Sequence, residues 1–123
     1  MPSQVKHLTD LPVIEIVYFG LVTPADLSAS IADALKLVEQ GRLIRILTDC
    51  SRMEDGHSIV DLLENMMQLV AEDLILNLRE AVITGPHPSA AANVRFWETA
   101  GQNRGMNVKL FKDRSEALVW LLA

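Results

Sequence analysis

Apolar and polar positions along this chain follow two rhythms, one of period two and one of period 3.6, and the rhythm changes where glycine, proline or a capping residue stands. VIEIVYFG, residues 13–20, is rich in β-branched and aromatic side chains and stops at a glycine, which predicts a strand. The shorter QVKHLTD before it is expected to be its antiparallel partner across Leu11 and Pro12. TPADLSASIADALKLVEQG reads as an amphipathic helix: Thr23 can cap, Pro24 suits the first helical position, Asp26 favours the first turn and Gly41 suits a left-handed stop. Leu27, Ile31, Ala34, Leu35 and Val38 then share one face. RLIRILTD, residues 42–49, predicts a buried strand carrying Leu43, Ile44, Ile46 and Leu47, followed by a short acidic loop.

From Ser58 a helical pattern begins, with Ile59, Leu62, Leu63, Met66 and Val70 as its core stripe. Val60, Met67, Leu69 and Leu74 add a second apolar flank, wider than one buried face needs. Residues 69–80 read either as an extension of this helix or as a separate turn. REAVITG, residues 79–85, predicts a strand burying Val82 and Ile83 beside the 42–49 strand. Pro86 and Pro88 then precede a helix in SAAANVRFWETAGQNRG, where Ala90, Val94 and Trp97 face the sheet and Arg95 and Phe96 lie off that stripe. NVKLF is the last strand, and DRSEALVWLLA the last helix, with Asp113 and Glu116 at capping-box spacing.

Strands alternating with helices after an opening hairpin predict an α/β sandwich, with a mainly parallel β-sheet, an antiparallel N-terminal edge strand and about four helices. A chain of 123 residues, half of them apolar, suits a single domain spanning 1–123. The net charge of −5 and the scatter of the eleven basic residues argue against nucleic acid, which needs clustered cations. One cysteine forms no internal disulfide, and MPSQVKHLTD lacks the basic start and apolar stretch of a signal peptide. No apolar run approaches the roughly 20 residues that span a bilayer, so a cytoplasmic protein without membrane insertion is expected.

Candidate chemistry gathers in LTDCSRMEDGHSIVDLL, residues 47–63. Cys50 invites a nucleophile reading with His57 or His87 as base, beyond the C-terminal ends of parallel strands. With no orienting acid or oxyanion hole in view, Cys50 is read as a small buried residue, and no catalytic residue is assigned. Asp49, Cys50, Asp55, His57 and His87 lack the tight spacing of a structural metal site, and His7 lies far along the chain, so no metal or cofactor is expected. Ser58 reads as a helix N-cap, and also as a candidate phosphorylation site, because free backbone N–H groups at a helix start favour negative charge. TGPHPSAAANVRFW has the glycine and helix start of a phosphate-binding turn without its full motif, and capping by Ser89 accounts for it.

The order of elements, the LIRILTD strand leading through an acidic loop into a helix, the AVITG strand and the ending VKLFKDRSEALVWLLA together resemble the STAS domains, in particular their SpoIIAA-like branch of small stand-alone proteins. That resemblance covers roughly residues 11–123. It implies a non-enzymatic regulatory or protein-interaction module rather than a catalyst. In the antagonist branch a serine within an Asp-Ser-Ser-Gly-Leu motif accepts phosphate; laid on this chain the motif falls on Asp55, Gly56, His57, Ser58 and Ile59, so His57 occupies the acceptor's place and Ser58 comes one step later. The expected interaction or ligand surface comprises Asp49, Cys50, Asp55, His57, Ser58, Val60 and Met67. A protein partner and a homodimer are expected there. The alternative is a small apolar-ligand or lipid-binding domain using the space between the second helix and the sheet.

Overall fold

The computed structural model describes residues 3–41, 43–55, 59–71 and 78–123. In chain order these form β1 (Ser3–His7), β2 (Val13–Leu21), α1 (Pro24–Gly41), β3 (Arg45–Asp55), α2 (Ile59–Ala71), β4 (Arg79–Ile83), α3 (Pro88–Gln102), β5 (Asn107–Phe111) and α4 (Arg114–Leu122). The strands make one sheet in the order β1-β2-β3-β4-β5. β1 is antiparallel to β2, and every later pair is parallel.

This order explains where the helices lie. Parallel crossovers are right-handed, so a sheet that grows in one direction carries all its crossover helices on one face. Leu27 and Ala34 of α1, Leu62, Met66 and Leu69 of α2, and Ala90, Val94 and Ala100 of α3 accordingly pack with Ile14, Ile16, Ile46, Val82 and Val108 into one apolar core. Of the described helices α4 alone covers the other face, where Ala117 and Leu121 meet Val13, Leu47, Ala81 and Ile83. The alternation of the strands decides the sides: 14, 46, 82 and 108 point to the first core, and 13, 47, 81 and 83 to the second.

Local chemistry fixes the helix starts. Thr23 and Asp26 cap α1 reciprocally: the Asp26 N–H donates to Thr23 Oγ1 at 3.2 Å, while the Thr23 N–H and hydroxyl donate to Asp26 Oδ2 at 3.0 and 2.7 Å. These bonds hold the Asp26 carboxyl below its usual pKa. Asp113 caps α4 by accepting from the Ser115 N–H at 2.9 Å. The other end of α4 is held from the sheet, since Arg45 Nε donates to the Leu121 carbonyl at 2.9 Å and an Arg79 guanidinium N–H to that of Ala123 at 3.0 Å. At α3 the N-cap is His87, with no side-chain cap bond and Pro88 at the first position, rather than Ser89.

Three sequence expectations need correction. β3 does not stop at Asp49 but runs to Asp55, taking in what read as an acidic loop. Pairing explains the polar composition: β3 meets β4 only as far as Asp49, and beyond that point it pairs with β2 alone. Leu43 and Ile44 precede the strand, half-buried and exposed respectively, while Ile46, Leu47, Val82 and Ile83 are buried in parallel neighbours. Leu69, assigned to the outer flank of α2, belongs to the core. The side chains of Ile59 and Val70, and all of Leu74, lie outside the described residues.

Candidate functional site

The extended β3 carries a bulge. Val17 pairs with Asp49 and Phe19 with Arg52, so β3 spends one residue more than β2 over this stretch. The extra residue changes the parity of the strand, which is why Cys50 and Met53, three positions apart, both enter the core covered by α1, α2 and α3. Asp49 anchors the bulge: its Oδ1 accepts from the Ser51 N–H at 2.9 Å and the Ser51 hydroxyl at 2.6 Å. The β4–α3 connection passes directly over it, and a Cβ at Gly85 would stand 2.5 Å from the Ser51 carbonyl oxygen, so this position admits only glycine without rearrangement.

Beneath the bulge, between the sheet and helices α1 and α3, is a cavity of about 70 Å³. Its floor is Ile16 and Tyr18 of β2, Thr48 and Cys50 of β3, and Glu80 and Val82 of β4. Leu27, Ile31 and Met53 close one side; Asn93, Val94 and Trp97 of α3 close the other. Ile31, Asn93 and Trp97 are only half-buried and mark its mouth. Among the described residues α2 contributes none, because Leu62, Met66 and Leu69 fill the space beneath that helix. A ligand slot between α2 and the sheet therefore has no support, and the open space lies elsewhere.

Apart from Asn93 at the mouth, the polar side chains of the cavity form one constellation. Glu80 is 7% exposed; its Oε1 accepts from Trp97 Nε1 at 2.8 Å and its Oε2 meets Thr48 Oγ1 at 2.6 Å. Burial raises the Glu80 pKa against the opposing pull of these two bonds. Tyr18 donates its hydroxyl to Ser30 Oγ at 2.5 Å, since Ser30 spends its own hydrogen on the Leu27 carbonyl at 2.9 Å. Burial also pushes the Tyr18 phenol and the Cys50 thiol far up, with Glu80 adding to both. A thiol held neutral in this way is a poor nucleophile.

The predicted site residues do not form one cluster. Asp49 is committed to Ser51, on the opposite side of the sheet from Cys50, which is 5% exposed and faces the cavity. Asp55 ends β3 opposite Leu21, and its side chain, like His57 and Ser58 entirely, lies outside the described residues. Val60 and Met67 stand on the outer surface of α2, 63% and 48% exposed, where Arg104 Nε approaches the Met67 sulfur at 3.3 Å. His87 is exposed at the start of α3. Among the described residues no group of three His, Cys, Asp or Glu side chains could hold a metal ion, and no helix is long and apolar enough to cross a membrane.

Sequence reading missed Glu80, Thr48, Tyr18 and Ser30 as a polar set. A signal existed, because Glu80 shares the inward register of Val82 in a strand flanked on both sides, and Trp97 lay on the sheet-facing stripe with an indole N–H that needs an acceptor.

A five-stranded sheet with one antiparallel edge, three crossover helices on one face and a final helix on the other is the SpoIIAA-like fold of the STAS domains. The chain superposes on an uncharacterized protein of the DUF3478 family with a SpoIIAA-like fold from Shewanella loihica PV-4, with a TM-score of 0.64, 22% identity, and coverage of 97% of this chain and 91% of that one. It also superposes on the anti-sigma factor antagonist SpoIIAA in its unphosphorylated form, with a TM-score of 0.59, 15% identity, and coverage of 98% and 96%. No protein-family model and no curated protein matches the chain.

Proposed function

We propose that this chain is a non-enzymatic regulatory module that binds a protein partner, and a second copy of itself, through the outer face of α2 and the adjoining end of β3. The carrying observation is the pair Val60 and Met67, large apolar side chains left in solvent on a helix whose Leu62, Met66 and Leu69 already satisfy the core. The SpoIIAA-like fold supports the reading, since one of its bearers is an anti-sigma factor antagonist. Asp49, Asp55, His57 and Ser58 adjoin this surface in sequence, with Ser58 the candidate for modification. The neutral, buried Cys50 speaks against thiol catalysis.

Met67→Glu tests the surface. Wild-type protein should sediment as a dimer at micromolar concentration and the variant as a monomer with its melting temperature nearly unchanged, because Arg104 stands ready to pair with the new carboxylate. A wild type that sediments only as a monomer refutes self-association.

A further inference from the structure

We propose that the outer edge of β1, with the groove between it and α1, receives an extended segment of a partner protein in which lysine or arginine recurs at every second position. The segment lengthens the sheet by one strand. This surface is separate from the α2 face.

The two edges of the sheet, β1 and β5, are finished differently. On β5, side chains of α3 occupy outward backbone groups: the Leu110 N–H donates to Glu98 Oε2 at 2.7 Å, and Gln102 Nε2 donates to the Val108 carbonyl at 2.9 Å. A further strand would have to displace both. On the β1 side the Leu8 N–H donates to the Val13 carbonyl at 2.9 Å, continuing the register in which His7 meets Ile14, so Lys6 and Gln4 also turn their backbone groups toward β2. Ser3, Val5 and His7 therefore turn theirs outward, and among the described residues none of these N–H and C=O groups has a partner.

Beside this open edge runs a groove of about 520 Å³, lined by Val5, Phe19 and Ala29 and bordered by Asp26 and Asp33 of α1. No lysine, arginine or histidine lines it. Asp33 is exposed and has no ion pair or hydrogen bond among the described residues, and Asp26 uses only Oδ2 in the helix cap. The two carboxylates stand about 10 Å apart along the helix axis. Side chains on one face of a strand recur about every 6.8 Å, so cations at every second position bring one within reach of each carboxylate. Charge also decides against a second copy: an antiparallel β1–β1 pair would set both α1 helices on the same face with their aspartates adjacent, and each chain carries a net charge of −5.

The test follows the fluorescence anisotropy of an end-capped, fluorescein-labelled peptide, Thr-Lys-Thr-Lys-Thr-Lys-Thr, titrated with the full chain at low salt. Saturable binding is expected, with a dissociation constant on the order of 100 μM. A counterpart with glutamate for lysine should not bind, nor should the lysine peptide with every backbone nitrogen methylated, which keeps its charge and loses its N–H groups. Val5→Pro removes an outward N–H where an edge strand tolerates proline, so the variant should keep its fold by circular dichroism and bind at least roughly tenfold more weakly. Asp33→Lys, at an exposed position, should weaken binding about fivefold whether or not Val5→Pro folds. Met67→Glu should leave it unchanged. Absence of saturable binding, equal binding of the glutamate or methylated peptide, or an affinity unchanged in Asp33→Lys would overturn the proposal. So would a wild-type dimer that Val5→Pro alone converts to a folded monomer, because a second copy would then occupy the edge.

Discussion

Glu15 on β2 and Glu80 on β4 are both less than a tenth exposed, on opposite faces of one sheet with β3 between them, and their surroundings could hardly differ more. Glu15, on the α4 face, has cations on two sides: Lys6 from the antiparallel edge strand at 3.8 Å and Arg114 from the first turn of α4. Glu80, under α1 and α3, has among the described residues only the neutral donors Thr48 and Trp97. The first is a structural ion pair that ties α4 to β2. The second is a desolvated acid beside an opening. A buried carboxyl with charge partners holds elements together, whereas one left with neutral partners is shifted by its own burial.

The largest effect is expected from Arg114→Ala, which leaves Glu15 buried with Lys6 as its remaining partner. Breaking a buried pair costs about 3–5 kcal/mol, but Arg114 is 45% exposed, so solvent screening reduces the expected loss to about 1–3 kcal/mol in urea unfolding. A loss no greater than that of an ordinary surface arginine would erase the contrast between the two glutamates.

Glu80→Gln should act in the opposite direction and depend on pH. The folded protein holds the Glu80 proton that the unfolded chain releases near pH 4.3, so the contribution of this group is fully present below that pH and is lost as pH rises through its raised folded value. Among the described residues Tyr18 and Cys50 are the other titratable groups facing the cavity, and burial keeps both neutral well above pH 7. Thermal melts should therefore show the variant more stable than wild type at pH 8 and no more stable at pH 4. A difference that does not change with pH would mean that Glu80 titrates as an ordinary carboxyl.

The smallest effect belongs to Trp97→Phe. It removes the single donor to Glu80 Oε1 while keeping most of the ring's packing, and a cost of about 0.5–1.5 kcal/mol is expected. Urea unfolding of this variant in the Glu80→Gln background would sharpen the comparison by showing whether the two changes are coupled.

The sequence made the element order legible because strand and helix periods differ and because Thr23, Pro88 and Asp113 punctuate them chemically; Gly41, expected as a left-handed stop, is instead the last helical residue of α1, without a positive φ. It concealed the bulge in β3. CSRMED carries no clean alternation, since the extra residue breaks the period, and its polar side chains are tolerated where the strand has a neighbour on one side only. The site was harder to see for a related reason: Glu80, Thr48, Tyr18 and Trp97 come from three strands and a helix, up to 79 positions apart, and only the register of the sheet brings them together. Cys50 drew the eye as a reactive type; its depth, which decides its chemistry, is a tertiary fact.

The strand order itself has a consequence for how such a chain reaches its shape. Each strand lies beside its immediate predecessor, so no strand has to be threaded between two already in place, and each crossover closes a loop of similar, modest length. During synthesis the β1–β2 hairpin can form as soon as it leaves the ribosome, and each later strand finds its docking edge already built, with the growing sheet exposing one unfinished edge at a time.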